Sequence, residues 1–60
     1  MIKYYTKEFL HYTEDSIADW LNKFEAQREG KSQSSYNIVI FDKSIIDNGL
    51  KITIKVSDFN

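Results

Sequence analysis

Three kinds of side chain in this 60-residue chain could do chemistry: a single histidine, a cluster of acids and a set of tyrosines interleaved with lysines. His11 stands just before a predicted helix and reads as a surface or capping residue, with a general base or ligand as the alternative. Ser16, Ser32, Ser34, Ser35, Ser44 and Ser57 lie in no G-x-S-x-G elbow, and Gly30 and Gly49 build neither a phosphate loop nor a dinucleotide fingerprint. Glu14 or Asp15 with Asp19 offers hard oxygen ligands for calcium or magnesium. Acids at a helix start, however, are accounted for by the positive end of the helix dipole. Without a nucleophile and base held near a cationic stabiliser, the expectation is a non-enzymatic protein with no cofactor and no metal site.

The aromatic set points elsewhere. Tyr4, Tyr5, Tyr12 and Tyr36 are too many to bury in so small a chain with every hydroxyl satisfied, so some belong at the surface or an interface. Tyrosine faces stack on bases, and Lys3, Lys7, Lys51 and Lys55 on adjacent strand positions, with Arg28, could hold phosphate. The competing reading is structural: alternating Lys and Thr makes an ordinary solvated strand face and protects a sheet edge. The candidate partner- or ligand-binding residues are therefore Lys3, Tyr4, Tyr5, Lys7, Arg28, Tyr36, Phe41, Lys51 and Lys55. Trp20 sits at core spacing among Ile17, Leu21 and Phe24 and reads as core before interface.

These residues must be positioned by few elements. Residues 1–60 form one domain, with no internal repeat or linker, and a chain this short buries only about 60% of its unfolded surface. It has no cysteine for disulfides and too few histidines for zinc, so self-association as a homodimer or larger assembly is the expected source of extra stability. A formal net charge of -1 argues against general nucleic-acid binding. No apolar run approaches the roughly 18 residues of a membrane span, and the amino terminus lacks a signal-peptide layout. A cytosolic protein is expected.

Met1–Leu10 is rich in strand formers, with Ile2 and Tyr4 on one side and Lys3, Tyr5, Lys7 and Phe9 on the other. Ile17, Trp20, Leu21 and Phe24 mark one face of an amphipathic helix that Thr13 caps, Tyr12 staples to Ile17 and Gly30 stops. On its exposed side Asp19 can pair with Lys23, and Glu25 with Arg28. Lys31–Ser35 is a loop. The segment from Tyr36 to Phe41 is apolar on both faces, which predicts a central strand or an interface. Asn48-Gly49 predicts a type I′ hairpin in which Asp47 opposes Leu50, Ile45 opposes Ile52 and Lys43 opposes Ile54. Since that register puts Lys43 on the apolar side, a bulge near Asp42 to Ser44 or an earlier end of the strand is expected. The fold class is thus a small α+β protein, a β-α-β-β unit with one amphipathic helix on a three-stranded sheet, and a right-handed crossover if the first strand pairs in parallel.

The run of "MIKYYTKEF", a helix containing "ADWLNKF" and a closing "LKITIKV" resembles small phage and bacterial accessory proteins, among them the Cse60-like sporulation-associated family. The likeness spans most of the chain as an order of elements, carries no site residue, and breaks at "EAQREGKSQSSYN" and at the "DNG" turn. It implies a compact, non-enzymatic, oligomeric protein. Three functions follow as expectations: a viral accessory inhibitor that docks on a host defence protein in the host cytoplasm, an oligomer that sequesters a small nucleotide signal, or a structural or regulatory subunit of a bacterial assembly.

Overall fold

The computed structural model describes residues 1–59. Strand β1 (Ile2–Leu10) leads into helix α1 (Glu14–Ala26), a short 3-10 turn (Gln33–Ser35), and the hairpin of β2 (Tyr36–Ile46) and β3 (Gly49–Asp58). One helix lies on a three-stranded sheet, the expected α+β unit. The strand order is β1-β3-β2 and both pairings are antiparallel, so the condition for a right-handed crossover is not met.

The central strand is β3, and its composition explains why. Leu50, Ile52, Ile54 and Val56 alternate along it and are the best-buried residues of the sheet. Only a strand flanked on both sides and covered from above excludes water this completely. Of the two readings of Tyr36–Phe41, a central strand or an interface, the first does not hold: β2 lies at an edge, and Val39, Ile40 and Phe41 stay accessible.

Helix α1 begins as its sequence requires. The hydroxyl of Thr13 accepts from the Ser16 N–H at 3.2 Å and the Thr13 N–H donates to Ser16 Oγ at 3.1 Å, a reciprocal box that satisfies two otherwise free donors. The helix stops at Ala26, four residues before Gly30; the Arg28 side chain donates to the Phe24 carbonyl at 3.0 Å and helps close the end. Trp20 and Phe24 point at the sheet, where Trp20 meets Phe9 edge-on at 5.5 Å between ring centroids and Phe24 meets Tyr5 at 4.8 Å. Ile17, Leu21 and Ile38 pack around them.

Helix length and width decide what stays uncovered. Thirteen helical residues span about 20 Å, whereas the eleven residues of β2 run about 36 Å along the 38 Å long axis of the molecule. A helix about 10 Å wide also covers only about two strands spaced ~4.8 Å apart. Helix α1 therefore covers β1 and β3 and reaches β2 only at its start, at Tyr36 and Ile38.

The hairpin differs from the expected turn. Ile46 pairs with Gly49, Ile45 with Leu50 and Lys43 with Ile52, so Asp47 and Asn48 form the loop. Only Asn48 takes a positive φ, 63°, which rules out type I′, where both central residues need one. Gly49 serves a different purpose: a Cβ there would run into the carbonyl of Phe9 in the adjacent β1. The bulge is present near the expected stretch, at Phe41, between Ile40 and Asp42. It does not remove Lys43 from the helix side; Lys43 stays opposite Ile52, at the outer margin where its amine reaches water.

Candidate protein-docking face

Cross-strand partners share a face, so the register sorts every candidate residue. The rows Lys3–Val56–Ile38, Tyr5–Ile54–Ile40, Lys7–Ile52–Lys43 and Phe9–Leu50–Ile45 lie on the helix side. The opposite, open side carries Ile2–Ser57–Asn37, Tyr4–Lys55–Val39, Thr6–Thr53–Asp42 and Glu8–Lys51–Ser44. No element among the described residues covers it.

Tyr4 and Phe41 meet on this open side across the central strand, edge to face, with ring centroids 5.0 Å apart and an interplanar angle of 66°. Tyr4 is 53% exposed and Phe41 61%. Phe41 lies on this side by ordinary alternation from Asn37 and Val39, and it is the extra residue that β3 does not match, so the phase of β2 breaks only after it. Ile2 and Val39 extend the apolar surface. Lys55 stands in the row between Tyr4 and Val39, and Thr6 and Thr53 hydrogen-bond to each other at 2.8 Å, holding the surface in register. Lys51, Thr53 and Lys55 thus line the middle strand of an aromatic-bearing face, with Glu8 opposite Lys51.

The other candidates disperse. Tyr5 belongs to the helix side, where it packs half-buried on Phe24, and is corrected from anchor to core margin. Lys3 and Lys7 lie on that side too, away from Lys51 and Lys55, so the four lysines do not converge. The Lys7 amine sits 5.3 Å from the centre of the Phe9 ring, within cation–π range. Arg28 is not free for phosphate: its Nε and Nη2 donate to the two Asp58 carboxylate oxygens, each at 2.9 Å. That two-pronged pairing holds the Asp58 carboxyl below the usual carboxylate range and raises the Arg28 guanidinium further. It also replaces the expected Glu25–Arg28 pair, since Glu25 accepts from the Tyr36 hydroxyl at 2.7 Å and thereby pushes the Tyr36 phenol up. Asp19 and Lys23 form no ion pair among the described residues.

Glu25 and Tyr36, with Gln33, Asn37 and Ile38, line an open depression of about 280 Å³ near the helix end. Its one charged group is a carboxylate, which repels phosphate. His11 is placed by its backbone: φ is 53° and its N–H donates to the Asn48 carbonyl at 3.2 Å, tying the end of β1 to the hairpin turn. Glu14, Asp15 and Asp19 do not gather with other ligating side chains into a possible metal site among the described residues.

Sequence reasoning missed Ile2 and Val39 as part of the face, and Asp58 as the partner of Arg28. Alternation sets Ile2 beside Tyr4 and Val39 beside Phe41, but no local signal says which side the helix leaves open; the second is a contact between residues thirty apart that no local signal announces. No family model, curated protein or solved structure matches the chain.

Proposed function

We propose that this chain is a small non-enzymatic binding protein that docks on a partner protein through the open side of its sheet, with Tyr4 and Phe41 as anchors. The supporting observation is their exposed edge-to-face pair, two rings presented to water on a rigid strand surface. Tyrosine and phenylalanine are enriched at interface centres, and side chains held by a sheet lose little further entropy on binding. Ile2 and Val39 enlarge the apolar centre, while Glu8, Lys51 and Asp42 supply a charged rim of both signs. Such a rim fits a protein surface better than a polyphosphate. Sequestration of a nucleotide has less support, because Arg28 is committed to Asp58 and the nearby depression is acidic.

The closer reading is a viral-type inhibitor that acts in the host cytosol and blocks a defence protein; a subunit of a bacterial assembly would use the same face on a partner from its own cell. No helix among the described residues is long and apolar enough to cross a membrane. The test is binding of a captured partner by wild type and by Y4A, F41A and the double variant, with folding checked by circular dichroism. Both side chains are exposed, so the variants should fold. Loss of about 2 kcal/mol or more per anchor, roughly thirtyfold in Kd, is expected; unchanged affinity in the double variant overturns the reading. Expression in hosts with different defence systems then separates the two partner classes. Rescue of phage plating that Y4A/F41A abolishes marks an inhibitor, and no rescue across the panel marks an assembly subunit.

A further inference from the structure

The two edges of the sheet are not alike. Along β1, Lys3, Lys7 and Glu8 place charges at intervals that discourage another strand from pairing there. The outer edge of β2 carries Ile38, Val39, Ile40, Phe41, Ile45 and Ile46 against one acid and one base, Asp42 and Lys43. Among the described residues no strand lies beyond it, and α1 fails to reach its outer half, so Ile40 is 50% exposed and Ile45 is 90% exposed on the helix side. An eleven-residue edge of this kind is a template for another strand.

The bulge says which strand fits. Before Phe41 the helix-side residues of β2 are Tyr36, Ile38 and Ile40; after it they are Lys43 and Ile45, one step out of alternation. An uninterrupted strand laid against this edge is in phase with one half and out of phase with the other. An antiparallel copy of β2 carries the same break. When the two-fold axis passes between Phe41 and Asp42, Ile38 opposes Ile45, Val39 opposes Ser44, Ile40 opposes Lys43, Asn37 opposes Ile46 and Phe41 opposes Asp42. Every one of these pairs agrees in face. Side-chain face and hydrogen-bonding direction alternate together along a strand, so the same pairs agree in hydrogen bonding. Sliding the copy by one residue sets the flanking pairs on opposite faces and brings Phe41 or Asp42 against itself; sliding by two puts the central pair on opposite faces.

We infer that two copies of this chain pair along their β2 edges in this register, forming one six-stranded antiparallel sheet with both helices on the same side. Charge permits it: neither Asp42 nor Lys43 faces a like charge directly, and each protomer carries a net charge of only -1. Ile45 lands beside the partner copy's Ile38, at the margin of a packed core, which removes the most exposed large apolar residue of the sheet from water. On the open side the two Phe41 rings come together at the axis, joining the Tyr4–Phe41 pairs of both copies into one stripe. A stable interface needs about 800 Å² per partner, about a sixth of the 4544 Å² surface of the chain. One strand edge with its flanking isoleucines is at the small end of that class, so the dimer dissociates on dilution.

The inference stands apart from protein docking, since Ile45 is on the side away from Tyr4. Sedimentation equilibrium over a wide concentration series should give an apparent mass that rises from 7.1 kDa to twice that value for wild type. Ile45→Lys, at an exposed position, should stay at the single-chain mass with an unchanged circular dichroism spectrum. The chain has no cysteine of its own, so V39C mixed with S44C should oxidise to a covalent heterodimer, whereas V39C mixed with I46C should not. The cross-link decides by itself if I45K fails to fold. A single-chain mass at every concentration overturns the inference, as does a dimer in which V39C and S44C do not cross-link.

Discussion

The Arg28–Asp58 pair shows how much one contact organises in so small a chain. It joins the end of α1 to the last residue of β3, and the Asp58 backbone in turn exchanges hydrogen bonds with Met1, its N–H donating to the Met1 carbonyl at 2.8 Å and its carbonyl accepting from the amino terminus at 2.6 Å. The guanidinium keeps the Asp58 carboxyl ionised below its ordinary pKa, chiefly by hydrogen bonding, with burial acting the other way. Because the folded-state pKa is the lower one, the pair contributes stability that is complete above the ordinary carboxylate pKa of about 4 and is lost as pH falls through the folded value. The urea midpoint of wild type should therefore decline below about pH 4. In Asp58→Asn, measured over the same series, that part of the decline should be missing; parallel curves would show that the pair adds nothing.

At the scale of elements, each piece of secondary structure is punctuated by a local device, and each device can be removed singly. Thr13→Ala deletes one acceptor of the capping box and should cost about 1 kcal/mol in chemical denaturation, with no change in the native spectrum. The bulge at Phe41 is such a device as well: it shifts the phase of the rest of β2. The hairpin shows a local signal outweighed by its surroundings. Asn-Gly favours a two-residue loop, but β1 passes so close that position 49 must lack a side chain within the strand, and the loop moves back one residue to Asp47-Asn48.

For the molecule as a whole, the core is a single layer between one helix and two strands, with Trp20 and Phe24 above and Phe9, Leu50, Ile52, Ile54 and Val56 below. A 60-residue domain has a total stability of about 3–9 kcal/mol. Trp20→Ala removes about 3–5 kcal/mol, enough to leave much of the chain unfolded at room temperature, which near-ultraviolet circular dichroism will report directly. Pairing along β2 predicts a second whole-molecule property: the thermal midpoint should rise with protein concentration, and I45K should abolish that dependence.

Sequence alone determined the elements and their order, because periodicity is local: the stripe of Ile17, Trp20, Leu21 and Phe24 could only be a helix face, and Leu50 to Val56 could only be one buried side of a strand. It also singled out Tyr4 and Phe41. It could not assign the two faces of β1, since aromatics stand on both, until Phe24 reached Tyr5 and left Tyr4 outside. Which strand is central, which partner Arg28 takes, where the hairpin turns and which edge stays open were decided by the tertiary structure. Each depends on how far a helix of fixed width extends over a longer sheet, and on contacts between residues distant along the chain.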